Sequence, residues 1–235
     1  MEIVSSLPVG VMVNVLSVLS GGIIGGLVGK KIPQRFKDTL PVIFGFAGIT
    51  IGVMKIVETK NLTIVIMSLV VGTIIGELIH LEDRMDKMAR WIILRVSQKK
   101  EENQREVEML VMVLIIFCIS STGIYGAVSE GFAGDSSILL SKSVLDFFTA
   151  IIFGSIIGYT IAMISIPQIL ILLPLYFGAV YISPYISDVV LGNFIATGGV
   201  ITMIFGTRMA NMAQIKAANT MPALIVVIIL SMLIM

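Results

Sequence analysis

Apolar residues run along this chain in eight long blocks, parted by short polar or glycine-rich interruptions. The blocks lie at about 7–29, 40–57, 62–80, 107–128, 142–165, 168–187, 189–207 and 219–235. A helix that crosses a bilayer needs roughly 17–25 predominantly apolar residues, and the blocks reach or approach that length. The pattern predicts an all-α, polytopic transmembrane helical bundle of about eight spans. Six is the lower bound, because the second block and the last two are short or rich in Gly and polar residues, as broken or re-entrant helices are.

Composition agrees. Of 235 residues, 57% are hydrophobic and only 13% charged, against about a quarter charged in soluble domains. The net charge of +1 offers nucleic acid no attractive field. Cys118 is the single cysteine and His80 the single histidine, which excludes an internal disulfide, a His cluster and a multi-cysteine metal site. No phosphate-cradling glycine loop is present, so primary active transport by this chain alone is not expected, and no cofactor is. The start, MEIVSSLP, lacks the basic patch of a signal peptide, and residues 7–29 read as a retained first helix.

The basic residues are distributed unevenly. Lys30, Lys31, Arg35 and Lys37, then Arg84, Lys87, Arg90, Arg95, Lys99, Lys100 and Arg105, then Arg208 and Lys216 fall on one side if eight spans alternate; the other side holds only Lys55, Lys60 and Lys142. Lys and Arg gather on the cytoplasmic side of short loops, so both termini are expected outside. In the long polar segment, Leu81, Met85, Met88 and Ile92 recur at helical spacing, and Asp83 with Lys87 and Asp86 with Arg90 pair four apart. Residues 81–106 thus read as an amphipathic helix on the cytoplasmic face, either a linker or a partner site. It separates an N-terminal three-helix membrane unit, 1–80, from a C-terminal membrane unit of about five helices, 107–235.

Short strings recur. Gly21–Gly25, Gly72–Gly76 and Gly154–Gly158 each present small residues four apart, a spacing that lets helix backbones approach closely in lipid. Ile32-Pro33-Gln34 is echoed by Ile166-Pro167-Gln168, and Gly48-Ile49-Thr50 by Gly199-Val200-Ile201-Thr202. Such echoes suggest an internal repeat, parallel or inverted, of the kind found in secondary transporters. Glycine faces left over after intrachain packing could make a homodimer.

Ionisable groups inside spans are expensive and mark function by default. Glu77, near the end of the third block, is a candidate protonatable or cation-binding carboxylate, or else a helix-end acid reaching the interface. Asp146 follows Lys142 by four, so the two share a helix face with Ser143 and Thr149: a gated carboxylate, or a pair that merely neutralises itself. Between Ser120 and Ser137 the chain is rich in small and polar residues. Gly123, Gly126, Gly131 and Gly134 are candidates for a broken helix lining a cavity, with Glu130 and Asp135 beside it; an ordinary external loop is the alternative. Asn14 and Asn193 supply hydrogen-bonding groups within spans. Asn more often ties helices together than binds solute.

These strings carry a resemblance. Ser121-Thr122-Gly123-Ile124-Tyr125-Gly126-Ala127, Glu130-Gly131, Gly134-Asp135 and Ser137-Ile138-Leu139, followed by Lys142-Ser143 and Leu145-Asp146-Phe147-Phe148-Thr149-Ala150, resemble the signature of domain of unknown function 554, the YdfK/YqgA-like bacterial inner-membrane proteins. Asn14, Ile75-Gly76-Glu77 and Asn219 with Met221-Pro222-Ala223-Leu224 also fit. The resemblance implies a polytopic prokaryotic plasma-membrane protein and supplies neither substrate nor site residues.

The residues favour a secondary transporter or channel for a small solute or ion, coupled to a proton or cation. The alternative is a regulatory or structural membrane protein acting through 81–106. An intramembrane enzyme is not expected: Gly131-Phe132-Ala133-Gly134-Asp135 is one residue longer than the G-x-G-D of aspartyl proteases, no Y-D partner exists, and His80 is predicted on the cytoplasmic edge, far from Ser120 and Ser121.

Overall fold

The computed structural model describes residues 7–29, 31–87, 109–110, 113–114, 116–118, 121–134, 136–182 and 186–234. The described residues form helices α1 (Val9–Val28), α2 (Gln34–Ile56), α3 (Leu62–Leu78), α4 (Leu81–Lys87), α5 (Ser121–Ala133), α6 (Ser137–Ile157), α7 (Thr160–Met163), α8 (Ser165–Ile182), α9 (Asp188–Met209) and α10 (Ala223–Leu233), with a 3₁₀ turn at Ala217–Thr220. The protein is an all-α, polytopic helical protein. Among the described residues, Val9–Val28, Gln34–Ile56, Ser137–Ile157, Thr160–Ala179 and Asp188–Met209 are long and apolar enough to cross a membrane, and Leu62–Leu78 with Leu81–Lys87 makes a sixth if that bent pair is one span.

The spans differ from the blocks read in the sequence where a backbone position intervenes. The block at 142–165 is not one helix: α6 begins at Ser137 and ends at Gly158, whose φ of 88° is open to a residue without Cβ. The block at 62–80 turns by 51° between α3 and α4, where His80 takes φ 50°. The last block opens with the 3₁₀ turn before α10. Of the fourth block only part is described, and residues 88–106 lie outside the described residues.

Local chemistry places the helix ends. The Asn61 side chain accepts the Ile64 amide and starts α3, and Ser187 does the same for Val190 at α9. Pro33, with ψ near 142°, sets the entry to α2.

The helices sort into two compact units that interleave along the chain. The first draws on Met1–Lys31 and Phe117–Tyr185, the second on Ile32–Ile116 and Ile186–Met235. This crosses the linear division at 80 and 106: α1 packs with α6, α7 and α8, not with α2 and α3.

In the first unit α1 and α6 run parallel, in contact over most of their lengths. Gly10 meets Ser136 and Leu139, Gly21 meets Phe147 and Ala150, and Gly25 meets Gly154. Val11, Val15, Ala127, Leu139, Leu172 and Tyr176 form an apolar cluster beside them. In the second unit α2 and α9 run antiparallel: Gly45 lies against Ala210 and Gly206, Gly52 against Gly199 and Met203. Gly72 and Gly76 of α3 rest on Ala223 and Asn219. The strings that echo one another in sequence are thus in contact within a unit: the glycines of α1 with Gly154, and Gly48 with Thr202.

Burial runs opposite to that of a water-soluble helix. On α3 the inward side is Ile64, Val65, Ser68, Gly72 and Gly76, while Ile66, Val70, Ile74 and Leu78 are exposed. From Ser68 onward the inward positions are small, because close backbone approach drives packing in lipid, while the large apolar side chains between them face outward, where lipid does not repel them.

Candidate functional site

The most concentrated buried chemistry lies in the first unit. Helical spacing puts Lys142, Ser143, Asp146 and Thr149 on one face of α6, and all four are buried there against neighbouring helices. Asp146 accepts hydrogen bonds from the Lys142 ammonium, with which it forms an ion pair, and from Asn14 Nδ2 of α1 at 2.7 Å. Asn14 Oδ1 in turn accepts from Gln168 Nε2 of α8 at 2.8 Å. Asn14 and Gln168 are 0% exposed, Asp146 1% and Lys142 7%. The Lys142 nitrogen also stands 5.9 Å from the centroid of the buried Phe117 ring. Three helices therefore deliver one continuous chain, Gln168 to Asn14 to Asp146 to Lys142, ending in a charge pair. Gln168 Oε1, at the far end, has no hydrogen-bond partner.

The arrangement follows from where the glycines lie. Gly21, Gly22 and Gly25 carry α1 close against α6 and α7, which brings the short Asn14 side chain to Asp146. Chemically, the network can hold or exchange a positive charge at a carboxylate and relay polarity through two carboxamides.

Glu130, on α5, does a different job. Its carboxylate accepts the amides of Gly10 at 2.6 Å and Val11 at 3.1 Å, so it caps the free N-terminal donors of α1 from another helix. An anion suits that end of a helix. Glu130 is 2% exposed, so Glu130→Ala strands two buried amides and should cost about 1–3 kcal/mol per unsatisfied donor. Glu130→Gln, which keeps one acceptor, should cost less. Thermal unfolding of the detergent-purified variants checks the ranking.

The broken helix expected around Gly123–Gly134 is not there. Residues 121–133 form the continuous helix α5, and only Gly134, with φ 68°, ends it. Gly126 and Gly131 are seats for neighbours, not breaks: a Cβ on Gly126 would lie 2.8 Å from Leu139, and one on Gly131 2.9 Å from Ala179. Asp135 lies outside the described residues.

In the second unit Asn193 is buried and structural in geometry. Its Oδ1 accepts the amides of Lys60 and Asn61, and its Nδ2 donates to Ser231 at 3.2 Å. Glu77 is exposed at the end of α3, in electrostatic reach of Lys216, and belongs to neither buried cluster.

Sequence reasoning missed two groups. Gln168 was visible only as part of a repeated string, and nothing local marks its side chain as inward. Glu82, 4% exposed, pairs with Arg208 at 2.6 Å and accepts the Ala218 amide, while its own amide donates to Asn219 Oδ1. Only tertiary folding joins positions so far apart. Beside it, Lys216 donates to Asp83, holding that carboxyl below its ordinary range, while Asp83 holds the Lys216 ammonium above its own. The bridge therefore persists across neutral pH. Its contribution is lost as pH falls through the lowered Asp83 value, or rises through the raised Lys216 value. Both groups are half exposed, so it contributes little.

Over residues 9–232 the chain matches the model of a family described as protein of unknown function, DUF554. It is 35% identical over 225 residues to the uncharacterized protein YqgA of Escherichia coli K12, covering 95% of this chain and 96% of that one. It is 27% identical over 221 residues to the uncharacterized membrane protein YdfK of Bacillus subtilis 168, covering 92% and 93%. No solved structure matches it.

Proposed function

We propose, from the premise that this chain belongs to the DUF554 family, that it is a bacterial inner-membrane secondary transporter of a small solute or ion. It works by alternating access coupled to a proton or cation at Asp146, with Lys142 as the internal counter-charge. The observation that carries this reading is the buried Lys142–Asp146 pair joined to Asn14 and Gln168 across three helices.

Placing an ionised residue in a membrane helix costs about 2.5–3.5 kcal/mol on insertion scales. Apolar residues of similar volume would often hold a fold together as well or better. A pair retained at that cost supports a working role, because a carboxylate whose partner can be exchanged gives two states of similar energy. Transporters of this class are built from repeats with the site at their interface, and the echoing strings of α1 and α6, and of α2 and α9, are the sequence feature that suggests one. The parallel course of α1 and α6 favours a parallel relation for that pair. The basic loops favour a cytoplasmic face carrying 81–106 and termini outside.

The test is flux in proteoliposomes, across a panel of small solutes with imposed proton and cation gradients. Asp146→Asn is expected to lose coupled flux by at least tenfold, and Glu77→Gln, exposed and outside the network, to retain it. Wild-type flux in Asp146→Asn would remove the pair from the mechanism; no flux of any solute would sink the transport reading.

A further inference from the structure

We propose that Gln168 is the solute-contacting group of the transport site: its free carboxamide oxygen accepts a hydrogen bond from a small uncharged solute bearing an N–H or O–H, and protonation of Asp146 turns that acceptor into a donor. The inference deepens the transport reading, rests on it, and takes the coupling ion to be a proton.

It begins from the polarity of the hydrogen bonds. An ionised Asp146 can only accept, so Asn14 turns its amino group toward it. Asn14 Oδ1 then faces Gln168 and receives the Gln168 amino group. Each carboxamide fixes the next, and Gln168 Oε1 is left at the end of the chain, on a side chain 0% exposed, without a donor among the described residues. A buried acceptor left unmet costs free energy, and native structures rarely keep one unless something fills the position.

The packing of α8 shows what lies at that level. Cys118 Sγ donates to the Ile164 carbonyl, and Gly131 of α5 meets Tyr176. The stretch from Cys118 through α5 therefore runs parallel to α8, and that register sets the backbone of Thr122 level with Gln168. Ser120, Ser121, Thr122 and Gly123 are four small residues in a row, where a lipid-facing helix carries large apolar ones. Charge then selects the solute. Lys142 and Asp146 neutralise each other, α1, α7 and α8 bring no charged side chain, and Glu130 is committed to the Gly10 and Val11 amides. A charged solute would find no counter-ion at Gln168 and would be heavily penalised there; an amide or an alcohol would not.

Protonation reverses the chain. When a proton from water forms an O–H bond on Asp146, the acid becomes a donor. It donates to Asn14 Oδ1, Asn14 turns its amino group to Gln168, and Gln168 accepts it at Oε1 and presents Nε2 instead. Lys142 loses its carboxylate; it sits in the second turn of α6, and its long side chain carries the ammonium toward the interface. The Cys118 thiol is a further titratable group in electrostatic reach of the pair, and α8 brings Tyr176, further along the helix than Gln168. A donor-bearing solute is held while Asp146 is ionised and expelled when it is protonated, so solute and proton exchange across the membrane. By linkage, each weakens the binding of the other.

The experiment uses the full chain in proteoliposomes, made with isotope-labelled glutamine, and reads the Gln168 side-chain carbonyl by infrared difference against Gln168→Met. At neutral pH that carbonyl should absorb at the high frequency of an unbonded amide, and acid should move it to the bonded position. At least one of acetamide, urea and ethanol should make the same shift saturably at neutral pH, whereas tetramethylurea, an acceptor without a donor, should not. Acid should raise the half-saturating concentration by about tenfold or more, in the range usual for two coupled sites. Asp146→Asn, whose amino group donates as the protonated acid does, should hold the carbonyl bonded at every pH. A wild-type carbonyl unmoved by acid, or unmoved by all three probes, overturns the proposal; one already bonded at neutral pH shows the position to be filled by a fixed water or a protein group and overturns it too. So does a shift that tetramethylurea also produces, or a pH response that survives Asp146→Asn. Should Asp146→Asn fail to fold, the wild-type acid and probe titrations decide alone. Proton-coupled flux with an unmoved carbonyl would overturn the inference and leave transport standing; a carbonyl that answers acid and donor probes in a protein that carries no solute supports the site and leaves transport unsupported.

Discussion

Asp146→Ala is expected to destabilise the first unit by about 3–5 kcal/mol, the cost of leaving the partner of a buried ion pair uncompensated. Lys142, 7% exposed, would lose the carboxylate it pairs with, and Asn14 Nδ2 would lose its acceptor. Lys142→Met should cost comparably, since it strands the carboxylate. The double variant Lys142→Met, Asp146→Leu removes both charges together and should recover most of the loss. Unfolding in mixed micelles, followed by circular dichroism, reads all three. If the double variant is as damaged as the sum of the single ones, the two residues are not each other's partners.

Gly21→Val should force α1 and α6 apart. A Cβ there would lie 2.6 Å from the Phe147 carbonyl oxygen and 2.9 Å from Ala150 Cβ. Neither can swing aside, one being backbone and the other having no rotamer. The two parallel helices must separate, and overpacking of this kind costs about 1–3 kcal/mol, more if Asn14 is drawn off Asp146. Gly178→Ala is the control with the opposite sign. It lies inside α8 with nothing within 4 Å of the added carbon, so it should gain up to about 0.5–1 kcal/mol through lower backbone entropy in the unfolded chain. A uniform loss at both positions would mean that the glycines serve flexibility, not contact.

How much of this was legible beforehand depends on the range of the signal. The all-helical membrane class is written in the length of the apolar blocks. The shared face of Lys142 and Asp146 and the close-packing face at Gly21 and Gly25 are written in spacing within one helix, and the structure has both. Asn14 and Asp146 each stood out as costly in lipid, but nothing within either helix says that they meet 132 residues apart. Gln168 and Glu82 escaped notice for the same reason. Glu77 stands out because acids are rare in such blocks, yet it is exposed and joins neither buried cluster. The glycines of α5 read as breaks because glycine serves two ends, freedom of φ and absence of bulk. Only the neighbours at Leu139, Tyr176 and Ala179 reveal the second use.

The interleaving of the units also sets a timetable for synthesis. Gly21 and Gly25 finish their packing only when Ala150 and Gly154 exist, and Gly52 of the other unit waits for Gly199. At roughly 5–20 residues per second of translation, α1 spends on the order of ten seconds in the bilayer before its parallel companion emerges. Through that interval Asn14 has no acid to bond and a glycine groove stands open. A nascent chain halted before α6 therefore presents the membrane's insertion and proteolysis machinery with an unfinished surface, and neither unit folds as a contiguous stretch: the first has all its residues only at Tyr185, the second only once Ile186–Met235 follows.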